Sequence, residues 1–487
     1  MRTLRLSVPA ILALLLGGCT VGPKYVKPSV PAPDAFKEPP PESFKETKDW
    51  KFSQPGAPSL PAKWWETLGD PQLTELEEQV VAGNQDLKIA EARFRQARAQ
   101  IRINRSAEFP IISTAPSVTG LRDSSNKPYF PLAPTTTGDF LLPFDFSYEV
   151  DLWGRVRRTV NASREEAQAV AADLATATLS IQAELAFDYF ELRAADSQKQ
   201  LLDDTVKAYT DAVKLTENRF EGGAAPKSDV AQAQTQLDTA LAQQTDIEVQ
   251  RAQYEHAIAA LLGKAPAEFT LAAAPLRLDL PAFPVGLPSQ LLERRPDIAA
   301  SERRVEEANE QIGIARAAFF PTVMLGASAG LEGSSILNWF NWPSRFWAVG
   351  PSLAETLFDA GRRRAGSDSA IAGYDAAVAS YRQTTLTAFQ QVEDNLAALR
   401  ILEIEERQQR HAVASAEESL EIFTNRYQGG VDNYLQVITA QTIALTNQRS
   451  EIDIQRRRVD ASVLLIKALG GGWNVTSLPS LPALRKG

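Results

Sequence analysis

The chain has 487 residues, and its 60 acidic against 51 basic side chains give a net charge of −9, a poor match to nucleic acid. A single cysteine leaves no disulfide framework, and two histidines with two methionines leave little for a soft-metal site, so neither a metal nor another cofactor is expected. Beyond the N-terminal leader no run of apolar residues is long enough for a transmembrane helix, so a crossing of the membrane would have to be a β-barrel.

Met1 to Arg5 carries two positive charges and Leu6 to Leu16 is almost wholly apolar, the pattern of a secretory signal over residues 1–18. Leu16-Gly17-Gly18-Cys19 resembles a bacterial lipobox. That resemblance implies cleavage before Cys19, a covalent lipid on its sulfur, and an acyl chain such as palmitate on the new amine. Several acyl chains, at about 0.8 kcal/mol per buried methylene, hold where one would not. The alternative is a buried free cysteine. Thr20, where an aspartate would retain such a lipoprotein in the inner membrane, favours the outer membrane. Loss of Arg2 and Arg5 with the signal makes the mature chain more acidic still. Residues 19–71 form the lipid anchor and an extended Pro-rich strap, with nine prolines between 28 and 61.

The rest of the chain is written twice, over 72–264 and 287–472, with a linker at 265–286 and a tail at 473–487. "NRFEGG" at 218–223 returns as "NRYQGG" at 425–430. At the same offset Gly154-Arg155 matches Gly361-Arg362, and Leu262-Gly263 matches Leu469-Gly470. Repeats of this length are duplicated half-domains and not solenoid turns.

Each copy opens with a helical segment, 72–107 or 287–318, the second starting at Pro296 and Asp297, which suit a first helical turn. Strands follow. Phe144, Phe146, Tyr148 and Val150 alternate with Asp145, Ser147, Glu149 and Asp151; in the second copy Val323 to Leu331 and Trp347 to Leu353 alternate likewise. Period two at this length fits a transmembrane β-strand, apolar side outward, although a soluble two-layer sheet has the same signature. The stretch "IISTAPSV" alternates poorly.

Arg155 to Glu221 contains neither Gly nor Pro, and Arg363 to Gln428 only Gly366 and Gly373. At about 1.5 Å per residue each is a helix of roughly 100 Å, too long for a compact domain. Leu202, Val206, Tyr209, Val213, Thr216 and Phe220 keep a heptad spacing, matched by Val413, Ala416, Leu420, Phe423 and Tyr427, which predicts coiled-coil packing. Returning helices over about 227–262 and 434–469 are joined to them by the double glycines. Four strands per chain cannot close a barrel when the smallest have about eight, so a transmembrane sheet must be shared among identical chains.

At this point the sequence resembles a known family, the TolC-type outer membrane factors of tripartite (RND-type) efflux systems, in their lipoprotein branch. The residues that carry it are "CTVGPKYVKP" from Cys19, "WWETLGDPQL" at 64–73, "RRPDI" at 294–298, "ARAAFFP" at 315–321, "LFDAGR" at 357–362, "NRFEGG" and "NRYQGGVDNYLQV". The resemblance implies an α+β membrane protein: a homotrimer whose shared twelve-stranded barrel continues into a periplasmic α-helical coiled-coil tube. It implies a passive export channel in the outer membrane, fed by a periplasmic adaptor and an inner-membrane RND-type pump, and not an enzyme. The alternative is a periplasmic coiled-coil structural lipoprotein or adaptor without a barrel.

On this reading Arg219, Phe220, Gly222, Gly223 and Asp229, with Arg426, Tyr427, Gly429 and Gly430, form the tips where the adaptor docks; alternatively the aromatics close the seam and the arginines bind the last carbonyls. Asp432, Tyr434, Gln436 and Thr439 are candidates for the pore mouth. Gln436 and Thr439 stand where many relatives carry aspartate, which weakens an acidic constriction. Trp153, Arg155, Phe358 and Arg362 are candidates for the membrane interface, since arginines at a helix start oppose its dipole and call for another role. That role is headgroup phosphate or ion pairing between chains.

Overall fold

The computed structural model describes residues 20–42, 60–122, 124, 136–277, 288–480 and 483–484. Cys19 and the leader lie outside them. The folded chain starts at Trp64–Leu68, a short 3₁₀ turn that buries Trp64 completely, and Asp70 then caps helix α1 (Pro71–Gly83) by accepting the Gln72 and Leu73 N–H groups.

The single opening helix expected over 72–107 is in fact two, α1 and α2 (Gln85–Ser106). Asn84 between them takes extended backbone angles, and its side chain accepts the Leu87 N–H, so it starts a new helix where the periodicity suggested continuity. Its amide also donates to Leu261 O at 2.8 Å, at the end of a helix far along the chain. Gly83 is there because its backbone lies directly against Leu262 and Gly263; a side chain would collide. Asn84→Ala leaves that carbonyl and the helix start unsatisfied, and is expected to lower unfolding free energy by about 2 kcal/mol in denaturant titration.

Five strands follow in part from each repeat: β1 (Ile111–Ser113), β2 (Ser117–Arg122) and β3 (Thr136–Glu149), then β4 (Thr322–Gly333) and β5 (Arg345–Ala354). β1 and β2 are two pieces of one strand, both antiparallel to β3, interrupted around Pro116, which has no N–H for the ladder; Thr114 donates its hydroxyl to Pro143 O instead. The order is β1/β2, β3, β4, β5, antiparallel throughout, with β1/β2 and β5 at the open edges.

Register turns the weak alternation into two faces. Phe144 pairs with Ala329 and Ala329 with Trp347; Phe146 pairs with Ala327 and Ile112, and Ala327 with Val349. All of these point to one side. Asp145, Ser328 and Ala348, then Ser147, Gly326 and Gly350, line the other.

Helices α3 (Arg155–Glu221) and α6 (Arg362–Gln428) each run 67 residues, and α4 (Lys227–Leu261) and α7 (Tyr434–Ala468) return along them. Helix α5 (Pro296–Ala317) packs against both long helices. Where α3 passes α1 and α7, Trp64, Leu73, Val80, Leu185, Tyr189, Leu192, Val463 and Ile466 form the largest core cluster. A second cluster joins Ile298 and Val305 of α5 to Tyr381, Val392 and Leu396 of α6. Among the described residues no helix is long and apolar enough to cross a membrane.

Candidate functional site

Both long helices end on the same backbone device. Gly222 N–H donates to Asn218 O and Gly223 N–H to Phe220 O, each at 3.0 Å; Gly429 and Gly430 repeat this with Asn425 O and Tyr427 O at 2.9 and 3.0 Å. Only the second glycine of each pair is left-handed, Gly223 at φ +70° and Gly430 at φ +76°; Gly222 and Gly429 both keep helical angles near φ −75°. The reversal therefore rests on one residue per hairpin.

The side chains break the symmetry that the backbone keeps. Arg219 of the first hairpin crosses to the second, where it donates to Gln428 O at 2.9 Å and lies 4.7 Å over the Tyr427 ring. It caps a helix, but the neighbouring one. Arg426, its counterpart, turns back onto Asp432 with bonds of 2.6 and 3.2 Å. That pairing holds the Asp432 carboxyl below the usual carboxylate range.

The two matching aromatics also part ways. Tyr427 is 3 % exposed, packed with Val213, Ala233 and Val437, its hydroxyl donating to Asp229 at 3.5 Å. Phe220 is 44 % exposed and leaves the seam in which the heptad pattern placed it. Loss of the Arg219 contacts in Arg219→Ala removes a cation–π and a charge-assisted bond. About fivefold faster amide exchange at Gly429 and Gly430 is the expected result.

Of the mouth candidates, Tyr434 is buried, 5.1 Å from the Tyr427 ring, and burial pushes its hydroxyl up to about 12. It belongs to the hairpin core. Asp432 is engaged by Arg426; Gln436 and Thr439 are exposed, with the Thr439 hydroxyl bonded to Leu435 O.

At the other end, strand passes to helix through a shell of ion pairs. Arg155 meets Glu149 in two bonds, of 2.5 and 3.0 Å, and Arg157 meets Asp151 at 3.1 Å; Arg158, buried, meets Glu310 on α5 at 3.0 Å. Arg363 pairs with Asp359 at 2.6 Å. These pairs lie within one chain. Asp151 also accepts the Val156 and Arg157 N–H groups, so the helix start receives its anion and the arginine is neutralised by the same carboxylate. Trp153 donates its indole N–H to Pro321 O at 2.8 Å and stacks on Phe320. Phe358, 87 % exposed, and Arg362, whose N–H donates to Asp359 O at 3.1 Å, present their side chains to the surface.

The strap, read from the sequence only as a tether, has a seat. Val21 N–H donates to Trp153 O at 3.1 Å. Lys27 pairs with Glu302 of α5 at 2.9 Å, the Glu393 carboxylate of α6 accepts the Lys37 and Glu38 N–H groups, and Arg400 holds Glu38. In sequence Glu302 and Glu393 look like ordinary solvent-facing helix residues. A strap in extended conformation needs acceptors along its path, and a search for acids on the helices it crosses would have found them.

The model of the family described as outer membrane efflux protein matches residues 76–264 and 287–471. The chain is 32 % identical to the toluene efflux pump outer membrane protein TtgI of Pseudomonas putida over 96 % of its own length and 99 % of the relative's. It is 32 % identical to outer membrane protein OprJ of Pseudomonas aeruginosa, with 95 % of each covered. The solved outer-membrane channel OprN superposes with a TM-score of 0.85 at 29 % identity, covering 93 % of this chain and 100 % of that one. Long hairpins, an amphipathic four-strand sheet and full-length similarity converge: the chain belongs to the outer membrane efflux protein family.

Proposed function

We propose that three copies of this chain close their sheets, edge to edge, into one twelve-stranded barrel in the outer membrane, and that α3, α4, α6 and α7 continue it as a tube through the periplasm. The observation that carries the reading is the sheet: one apolar face, one small and polar face, and open edges at β1/β2 and β5, which lipid would not tolerate unpaired. The efflux protein is then a passive conduit. An inner-membrane RND-type pump supplies the energy, and a periplasmic adaptor grips the tips around Gly223 and Gly430. Exposed Phe220, Val431 and Leu435 support that docking. A covalent lipid on Cys19 would hold the start of the strap at the membrane, consistent with Val21 bonding to Trp153 at the strand-to-helix junction.

A coiled-coil lipoprotein without a barrel has no use for the apolar sheet face. The deciding experiment extracts the protein from outer membranes. Heat-modifiable trimers that conduct ions in planar bilayers support the channel, and a non-conducting protein that becomes soluble after Cys19→Ser overturns it. The cargo is set by the pump, and toluene, named for one relative, is the first to test.

A further inference from the structure

The segment between β4 and β5 is rich in rings and leaves most of them in the open. Within it Leu337 is 85 % exposed and Trp342 75 %, with Ile336 and Phe340 exposed as well, and Trp347 beside it on β5 is 77 % exposed. The side of the sheet on which it lies is fixed by contacts. Trp339, in the one-turn helix Ile336–Trp339, packs 5.6 Å from the ring of Phe140. Phe140 pairs with Gly333, and the Trp339 backbone sits over that glycine where a Cβ would point. Phe140 and Gly333 belong to the face of Phe144, Ala329 and Trp347. The segment therefore folds back over the apolar face and away from the small, polar one.

It is also a built conformation. The Ser344 hydroxyl donates to Asn338 O at 2.5 Å, and Ser344 N–H to Asn341 O at 3.0 Å, closing the loop on itself. At its end Arg345 pairs with Leu331 in register, on the same apolar face, and its guanidinium stacks 3.7 Å from the Trp342 ring centre. Among the described residues Arg345 makes no ion pair, and Glu332, the acid nearest to it on β4, pairs with Leu141 and belongs to the opposite face. A cation held flat on an indole, unneutralised, at the rim of an apolar surface calls for an anion supplied from outside.

We propose that this segment is a docking site for a phosphorylated lipid of the outer leaflet, with Leu337, Phe340 and Trp342 among the acyl chains and Arg345 on the headgroup phosphate. The inference rests on the barrel reading, which makes the apolar face the lipid-facing one and the β4–β5 end extracellular. Continuity argues for lipid over a protein partner: Phe140, Leu142 and Leu331 join the segment to the Phe144, Trp347 and Val349 band on the same face, beside Arg345. Indoles at the interfacial depth and a guanidinium at phosphate are the chemistry such a boundary selects.

The test uses the full-length trimer, with fluorescent bisphosphorylated lipid A as the probe, titrated in phosphatidylcholine vesicles. Wild type is expected to bind lipid A more tightly than its dephosphorylated form. Arg345→Ala should abolish that difference, an effect of about tenfold for a charge-assisted phosphate contact. Trp342→Ala should weaken both lipids by a few-fold, and inorganic phosphate should not compete. Single-channel conductance is recorded for every variant. A conducting wild type that does not distinguish the two lipids overturns the proposal alone. So does a Trp342→Ala trimer whose conductance rises while its lipid binding is unchanged, because the segment would then lie over the pore. A wild type that does not conduct overturns instead the barrel reading beneath it.

Discussion

Gly430→Val is expected to abolish export while trimers still form. The residue sits at φ +76°, where a β-branched side chain is strained by roughly 1–2 kcal/mol, and relief requires the turn to open. What opens with it is the segment from Val431 to Asn433, the Arg426–Asp432 pair, and the Gln428 carbonyl that Arg219 holds. The sheet and the core around Tyr381, Val392 and Leu396 lie far away along the 67-residue helix and are untouched by the change. Gly429→Ala is the control. That residue has helical angles, and an added methyl would come no closer than 3.4 Å to its nearest neighbour, Asn425 O. Export by Gly429→Ala should therefore approach wild type. Export of the cargo that wild type is found to carry, beside heat-modifiable trimer on gels, separates the two. Full export by Gly430→Val would mean that the tip is not where the adaptor docks.

The second large effect is a dependence on pH that one carboxyl creates. Glu77 on α1 is fully buried, neither carboxyl oxygen has a partner among the described residues, and burial pushes it up to about 9. Its folded value lies above its unfolded one, so it favours the folded state fully below about pH 4.5, and that contribution is lost as pH rises through about 9. Within this window unfolding free energy should fall by about 1.4 kcal/mol per pH unit. Glu77→Gln keeps the shape without the proton, so its stability curve should be flat by comparison and lie above wild type at pH 7 and 9. Denaturant midpoints of detergent-solubilised trimer at pH 5, 7 and 9 provide the measurement. Parallel curves for the two proteins would show that Glu77 finds a partner or water in the assembly.

Glu77 also marks where the sequence stops being informative. In "LTELEEQV" three acids look alike, and only the arrival of other helices selects the middle one for burial. The long helices were legible because an unbroken run without Gly or Pro carries its own instruction, and their bounds in the structure follow those runs. The amphipathic strands were legible by parity, yet the first one was not, since Pro116 divides it and the register of each piece comes from β3. The tips were legible as a backbone device. Their chemistry was not: "NR" followed by an aromatic reads the same in both copies, while Arg219 bridges the hairpins and Arg426 serves its own. The junction arginines, by sequence alone, look outward to lipid or to another chain. Their partners Glu149, Asp151 and Asp359 stand within six residues of them, and Glu310, the partner of Arg158, lies across on α5.

The seat of the strap fixes an order of events. Lys27 and Glu38 bind carboxylates that lie 275 and 355 residues later in the chain, so a segment made early is among the last to find its place. Closing loops of that span is slow, and nothing local rewards the strap before α5 and α6 exist. A protease that reaches the strap thus acts as a clock for maturation. Cleavage there reports chains still being assembled, and protection reports chains whose second hairpin is complete.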